Sequence, residues 1–397
     1  MNRFLACTGV LCIVGTLVAC SSAPTGGRQG DASRSTGSTP ARAASSGKAP
    51  TSPPTSNGLY RQADAAGVVN QPTGRWVPVP WTDLPGFGTE TLTDAWGAWL
   101  KSCENPPAPY DALCGEVRGL KASTAEDKRT WMRSRLQPYR VETADGEATG
   151  LLTGYFEPIL EGSRTPSAAY TVPLYQPPVG LAPGKTWFTR QEMDTVPEAR
   201  AALQGRAIAY LADPVDALVL QIQGSGRMQI TQPDGSKAYV RLAYAGTNGQ
   251  PYRSVGRWLL EQGLVKDATW PGIRAWLAQN PQRQQELLWS NPRMTFFKAD
   301  AMSEQDATLG PRGTQGVALT PGHSIAVDPG SIPYGAPVWL ASSGPQVSMQ
   351  KLVLAQDSGS AITGAVRADY FAGWGAQAGD LAGRLRQPLQ LWVLWPK

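Results

Sequence analysis

Three aspartates in the C-terminal third are the residues best suited to acid–base chemistry. Asp328 lies in Ala-Val-Asp-Pro-Gly-Ser-Ile-Pro-Tyr-Gly, Asp357 in Ala-Gln-Asp-Ser-Gly-Ser-Ala-Ile-Thr-Gly, and Asp369 in Val-Arg-Ala-Asp-Tyr-Phe-Ala-Gly-Trp-Gly. A carboxyl group serves as a general acid once burial or a nearby like charge raises its pKa. Each aspartate also has an ordinary reading. Asp328 before Pro329 is a natural turn starter, Asp357 can bond loop amides after an apolar strand, and Asp369 can cap a helix. Spacing alone leaves these alternatives open.

Other chemistries find less support. The chain holds one histidine, His323, which argues against a zinc peptidase or a His-ligated cluster. A Ser-His-Asp triad would need that same residue, and no Gly-x-Ser-x-Gly elbow accompanies it. No metal site and no cofactor are expected. Lys and Arg number 36 against 31 Asp and Glu, a net charge of +5. That excess is too small and dispersed to point to nucleic acid, and is compatible with an acidic polymer or with a bland surface.

The N-terminus carries targeting information. Met1-Asn2-Arg3 precedes an apolar run from Phe4 to Ala19, short for a transmembrane helix and laid out like a secretory signal. It ends in Leu17-Val18-Ala19-Cys20, which resembles the lipobox of bacterial lipoproteins, so residues 1–19 are expected to be removed and Cys20 acylated. From Ser21 to about Asn57 the composition is Ser, Thr, Gly, Ala and Pro; with so little apolar surface to bury, residues 20–57 read as a flexible tether. Cys103 and Cys114 remain in the body. In an oxidising compartment they are candidates for a disulfide, with Pro106, Pro107 and Pro109 in the loop between them.

The elements that must position the aspartates read as follows. Ser123-Thr124-Ala125-Glu126 looks like a capping box opening a helix through Leu136, and Thr189 with Glu192 opens another through Met193 toward Leu203. Ser254 opens a third, which ends at Gly263. Further helices are expected near Asp94–Cys103, Ile273–Ala278 and Gln282–Trp289, with a short one at Asp369–Ala372. Ala217–Gln223 reads as a strand running into Gly224-Ser225-Gly226. Ser324–Asp328, Ala336–Leu340, Lys351–Gln356 and Leu389–Leu394 also read as strands. These last are too few for a barrel and are expected to complete one with an earlier segment.

The three aspartate contexts resemble the three-aspartate domain of the membrane-bound lytic murein transglycosylase A family. The similarity also covers Thr153-Gly-Tyr-Phe-Glu-Pro158, Gln223-Gly-Ser-Gly226, Tyr244 through Gly256, and Asn291-Pro292 through Phe296-Phe297-Lys298. The blocks occur in one consistent order from about Leu59 to the C-terminus. The resemblance implies a mainly β fold, a double-psi β-barrel domain with an inserted smaller β-rich domain and several short helices. The barrel would take residues 58–158 and 309–397 and the insert 159–308, leaving a groove between them for glycan. Ser358, Ser360 and Thr363 depart from the Thr, Gly and Lys common in relatives.

By the same resemblance Asp369 would be the catalytic acid and base and Asp357 its supporting neighbour. Tyr155, Gln223, Gly224, Ser225, Gly226, Tyr244, Asn248, Tyr252 and Asp328 would bind substrate. The reaction implied is cleavage of the β-1,4 bond between N-acetylmuramic acid and N-acetylglucosamine in peptidoglycan. The muramyl 6-hydroxyl attacks its own C1, and 1,6-anhydromuramic ends form. The expected setting is the periplasmic face of the outer membrane of a Gram-negative bacterium. Peptidoglycan strands, the membrane through the lipid anchor, and other wall-synthesis or wall-cleaving proteins would be partners. The rival readings are a non-catalytic peptidoglycan-binding lipoprotein and a muramidase that uses water.

Overall fold

A computed structural model describes residues 63–397 except Pro183 and Gln346. The signal segment, Cys20 and the tether lie outside the described residues. Among the described residues, fifteen strands fall into two sheets. In chain order they are β1 Val69–Gln71, β2 Gly74–Pro78, β3 Leu136–Glu142, β4 Gly150–Glu157, β5 Ile159–Ser163, β6 Val172–Tyr175, β7 Ala207–Leu211, β8 Gly226–Thr231, β9 Lys237–Thr247, β10 Thr295–Ala301, β11 Ser324–Val327, β12 Pro337–Ser343, β13 Ser348–Asp357, β14 Arg367–Trp374 and β15 Arg386–Pro396.

The first sheet closes on itself. Its order is β1-β2-β3-β15-β12-β13-β11-β14-β4, and β15 pairs again with β4. The 11-residue length of β15 permits this: Arg386–Leu389 pair with β4, Gln390–Val393 with β12, and Trp392–Pro396 with β3. The ring β15-β12-β13-β11-β14-β4 is thus a six-stranded barrel mixing parallel and antiparallel neighbours. Closure removes the exposed edges that a short open sheet would present. The strands after residue 309 do need an earlier partner, and β4 supplies it.

Alternation along β12 shows how the barrel is packed on both sides. Val338 and Leu340 point into the interior with Ile325, Val353 and Leu391. Trp339 and Ala341 point outward beneath the helix Thr93–Ser102, whose Trp96 and Trp99 cover them. Cys103 and Cys114 are joined in a disulfide at the end of that helix, with Cα atoms 5.5 Å apart. The second sheet, β10-β9-β8-β5-β7-β6, leaves the barrel after Glu157 and returns after Ala301.

Four expectations are corrected. Residues 217–223 belong to the helix Pro214–Gln223 and not to a strand. Asp213 caps its first turn by accepting from Val215 N at 2.7 Å, Pro214 opens it, and Gly224 at φ 81° closes it. An apolar run of this length fits a buried helix as well as a strand. Here Ala217 and Leu220 face the insert sheet while Val215 and Leu218 face the neighbouring helices, so no polar face betrays the period. Conversely, Asp369–Ala372 lies within β14, and the helix begins later, at Gly375. The first capping box is Thr124 with Asp127, one residue beyond the expected pair, and the helix it opens is Ala125–Arg135. The Thr189–Glu192 box forms as expected, but Pro197 divides that helix into Arg190–Thr195 and Pro197–Leu203.

Candidate active site

The register of three barrel strands brings the acidic groups together. On β14, Asp369 stands opposite Thr153 of β4 on one side and Ala326 of β11 on the other. Asp357, the last residue of β13, stands opposite the same Ala326. Both carboxylates therefore open onto one groove of about 760 Å³. The barrel lines it with Thr153, Tyr155, Thr314, Asp357, Arg367 and Asp369, and the insert with Gln223, Gly224, Ser225, Tyr244, Tyr252 and Arg293.

The two carboxylates are held differently. Asp357 is fixed at both oxygens: Oδ1 accepts from Thr314 N and Oγ1, each at 2.9 Å, and Oδ2 accepts from Tyr155 OH at 2.9 Å. Burial raises its pKa, and these hydrogen bonds oppose the rise. Asp369 receives one hydroxyl bond, from Thr153 Oγ1 to Oδ1. Its pKa is pushed up to about 6, first by burial and further by the charge of Asp357, against the lowering pull of Thr153 and Arg367. Arg367 does not reach Asp369 directly through a salt bridge. Its Nη2 donates to Thr153 Oγ1 at 2.9 Å, so that hydroxyl passes the influence of the cation to the acid.

The aromatic surroundings follow strand alternation. Phe371, two residues beyond Asp369, packs on Tyr155 with ring centroids 5.2 Å apart. Tyr370 points the other way, into the barrel interior. Trp374 carries the Arg227 guanidinium 3.8 Å over its ring. Only the first of these three lies beside the acids.

Of the residues expected to bind substrate, Tyr155, Gln223, Gly224, Ser225, Tyr244 and Tyr252 line the groove. Tyr244 and Tyr252 are 58% and 36% exposed, the accessibility a sugar-facing ring requires. Three others are occupied elsewhere. Asp328 accepts from Gly330 N at 2.8 Å and Gly364 N at 2.7 Å, which makes it a loop organiser. Asn248 is fully buried; its Nδ2 donates to the carbonyls of Phe188 and Pro292, and its Oδ1 accepts from Met294 N. Gly226 is buried where a Cβ would lie 2.4 Å from Leu220 Cδ1, so it serves the packing of β8 on the helix before it. Thr153, Arg367, Thr314 and Arg293 were not anticipated. Thr153, Arg293 and Arg367 all lie within the sequence blocks quoted above, whereas Thr314 lies outside them and meets the site only through its bonds to Asp357.

Comparison with known proteins agrees with this geometry. Residues 151–298 match the MltA specific insert domain and residues 323–395 match the 3D domain. The chain is 30% identical over 280 residues to the membrane-bound lytic murein transglycosylase A of Escherichia coli K12, an alignment covering 68% of this chain and 72% of the relative. The protein of that name from Vibrio cholerae is 29% identical over 280 residues, covering 68% and 71%. Among solved structures, MltA from Neisseria gonorrhoeae superposes with a TM-score of 0.68 at 27% identity, covering 85% of this chain and 96% of that one. E. coli MltA with bound chitohexaose superposes with a TM-score of 0.65 at 25% identity, covering 88% and 99%. Lytic transglycosylase LtgG of Burkholderia pseudomallei is 38% identical, with a TM-score of 0.56 and coverage of 86% and 98%. The chain belongs to the membrane-bound lytic murein transglycosylase A family.

Proposed function

We propose that this lytic murein transglycosylase works with Asp369 as its single acid and base. The observation that carries the reading is the inequality of the two carboxylates: Asp357 is fixed at both oxygens, while Asp369 has a pKa of about 6 and faces the groove. A glycosidase that uses water needs two working carboxyl groups. Intramolecular attack needs one. Protonated Asp369 donates to the glycosidic oxygen as the muramyl C1–O bond breaks. The carboxylate so formed then takes the proton of the 6-hydroxyl as that oxygen closes on C1. The proton count balances and the acid returns to its starting state. Holding the nucleophile within the same sugar supplies a large effective concentration, in favourable cases about 7–11 kcal/mol of barrier. Asp357 contributes its charge to Asp369, and Tyr155 and Thr314 hold that charge in place.

Digestion of purified sacculi followed by mass analysis tests the reaction. Muropeptides lighter by one water than their reducing counterparts are expected. Reducing ends alone would indicate a muramidase, and binding without solubilisation a non-catalytic anchor; either result sinks the proposal.

The acid step requires protonated Asp369, so kcat/KM on soluble glycan is expected to fall as pH rises through about 6. Thr153→Val removes a bond that lowers the pKa and should move that limb to higher pH. Asp357→Asn removes a charge that raises it and should move the limb lower. Limbs that stay put in both variants would detach the profile from Asp369.

The setting is proposed from the N-terminus. Acylated Cys20 would anchor the enzyme, and Ser21 after it favours outer-membrane sorting on the periplasmic side. Among the described residues no helix is long and apolar enough to cross a membrane.

A further inference from the structure

The groove contains a cation that the acid–base chemistry does not use. Arg293 sits on the insert side, in the short loop between the helix Gln284–Ser290 and β10. Its position is built from beneath. The buried Arg190 donates through Nη2 to Arg293 O at 2.6 Å and to Gln221 Oε1 at 2.5 Å, and through Nε to Asn291 O at 3.1 Å. Asn291 Oδ1 accepts from Arg293 N at 3.3 Å. The side chain is aimed as well: Nε donates to Gln250 O at 2.9 Å, and across the groove Nη1 donates to Ser360 Oγ, three residues beyond Asp357. The groove's other two arginines are held within the barrel, Arg312 at Gly316 O and Arg367 at Ala368 O and Thr153 Oγ1.

A neutral serine hydroxyl is a weak acceptor for a guanidinium. A carboxylate in its place would make charge-assisted, potentially two-pronged bonds about twice as strong. Muramic acid differs from glucosamine by the lactyl ether on O3, which ends in a carboxylate when no stem peptide is attached and in an amide when one is. We infer that Arg293 reads the lactyl carboxylate of muramic acid, with Ser360 holding the guanidinium in place until the strand displaces it. Arg293 is then a specificity residue that favours peptide-free muramyl strands. The inference rests on the glycan-cleaving reading of the groove and names what that groove selects.

Binding is measured by calorimetry at neutral pH in an Asp369→Asn background, so that ligands survive. The probes are peptide-free muramyl strands, the same strands methyl-esterified at the lactyl carboxylates, peptide-bearing strands, and chitohexaose, which carries no carboxylate. Arg293→Gln is expected to weaken the peptide-free strands roughly ten- to a hundredfold, the usual effect of losing a bond to a charged group. Chitohexaose should change by less than about twofold, the scatter of a neutral site. Ser360→Gly should leave all four affinities in place. Esterification should reproduce the Arg293→Gln loss in the unmodified groove without needing any variant at Arg293. If Arg293→Gln weakens chitohexaose equally, or if Ser360→Gly copies it, Arg293 is only a latch between the two sheets and the inference is overturned. If esterification has no effect, the carboxylate is not read. If no probe binds at all, the glycan reading of the groove fails and this inference falls with it.

Discussion

Asp369→Asn is expected to lower turnover of sacculi by about a thousandfold or more, within the range that a lost general acid–base group produces, while glycan affinity stays near its original value. The argument is geometric before it is electrostatic. Asparagine has nearly the same shape and can accept the Thr153 hydroxyl bond through its amide oxygen, so β14 should keep its register against β4 and β11. What it cannot do is lose and regain a proton. A second readout separates catalysis from collapse. The native pKa of Asp369, about 6, lies above the ordinary 3.8, so between these values the folded state binds more protons than the unfolded one. Its contribution to stability is present at low pH and is lost as pH rises through about 6. Asparagine does not titrate. The melting temperature of Asp369→Asn relative to the parent should therefore climb from pH 4 to pH 7. A variant that is inactive yet gains relative stability toward neutrality fits an acid strained for its task. Near-normal turnover would end the assignment of Asp369, and a flat stability difference would show that its ionisation costs the fold nothing.

Much of this site was legible in the chain, for reasons that differ by residue. Asp357, Asp369 and Tyr155 sit in motif blocks whose order along the chain is itself informative. Local signals also carried far. The Thr189 capping box needs only residues three apart, and Ser254 caps its helix by accepting from Arg257 N. Failures had two causes. The helix Pro214–Gln223 buries Ala217 through Gln221 without a break, so its apolar run shows no period. On β14 an acid ahead of Tyr370-Phe371-Ala372 imitates a helix cap, although Asp369 faces the groove and Tyr370 the barrel interior, as a strand requires. Asp213-Pro214 and Gly224 do mark the helix ends, and Gly373 and Gly375, at φ 112° and 77°, do mark where β14 stops. Asn248 and Asp328 went to structure because a short polar side chain in a glycine-rich block serves backbone amides as readily as it serves a sugar. Arg293 lies in a quoted block, but its partner Ser360 is remote in sequence, as Asp357 is from Thr314, and local pattern carries no trace of such pairings.

Such long-range pairing also carries the second large expected effect, at Glu157. This last residue of β4 is fully buried, and Ile159 already belongs to the insert. Its Oε2 accepts from Arg227 Nε at 2.7 Å and its Oε1 from Arg241 Nε at 2.8 Å. Both arginines also hold the returning segment: Arg227 donates to Ala307 O and Leu309 O, and Arg241 donates to Leu309 O. The outgoing and returning crossovers are therefore tied at one carboxylate, and the insert's orientation over the groove depends on it. Glu157→Leu leaves two buried guanidinium groups facing each other without their anion and is expected to cost about 3–5 kcal/mol in urea unfolding. Glu157→Gln should cost less, since its amide oxygen can still accept one bond. Replacing Arg227 and Arg241 with methionine in the Glu157→Leu background should recover most of the loss, because an apolar trio removes the desolvation cost of all three charges. It would not restore the bonds to Ala307 and Leu309, so KM for sacculi should remain elevated even where stability returns. A Glu157→Leu protein within about 0.5 kcal/mol of the parent, the range of an ordinary surface change, would show that the trio orients nothing. Full recovery of both stability and KM in the triple variant would show that packing alone sets the width of the groove.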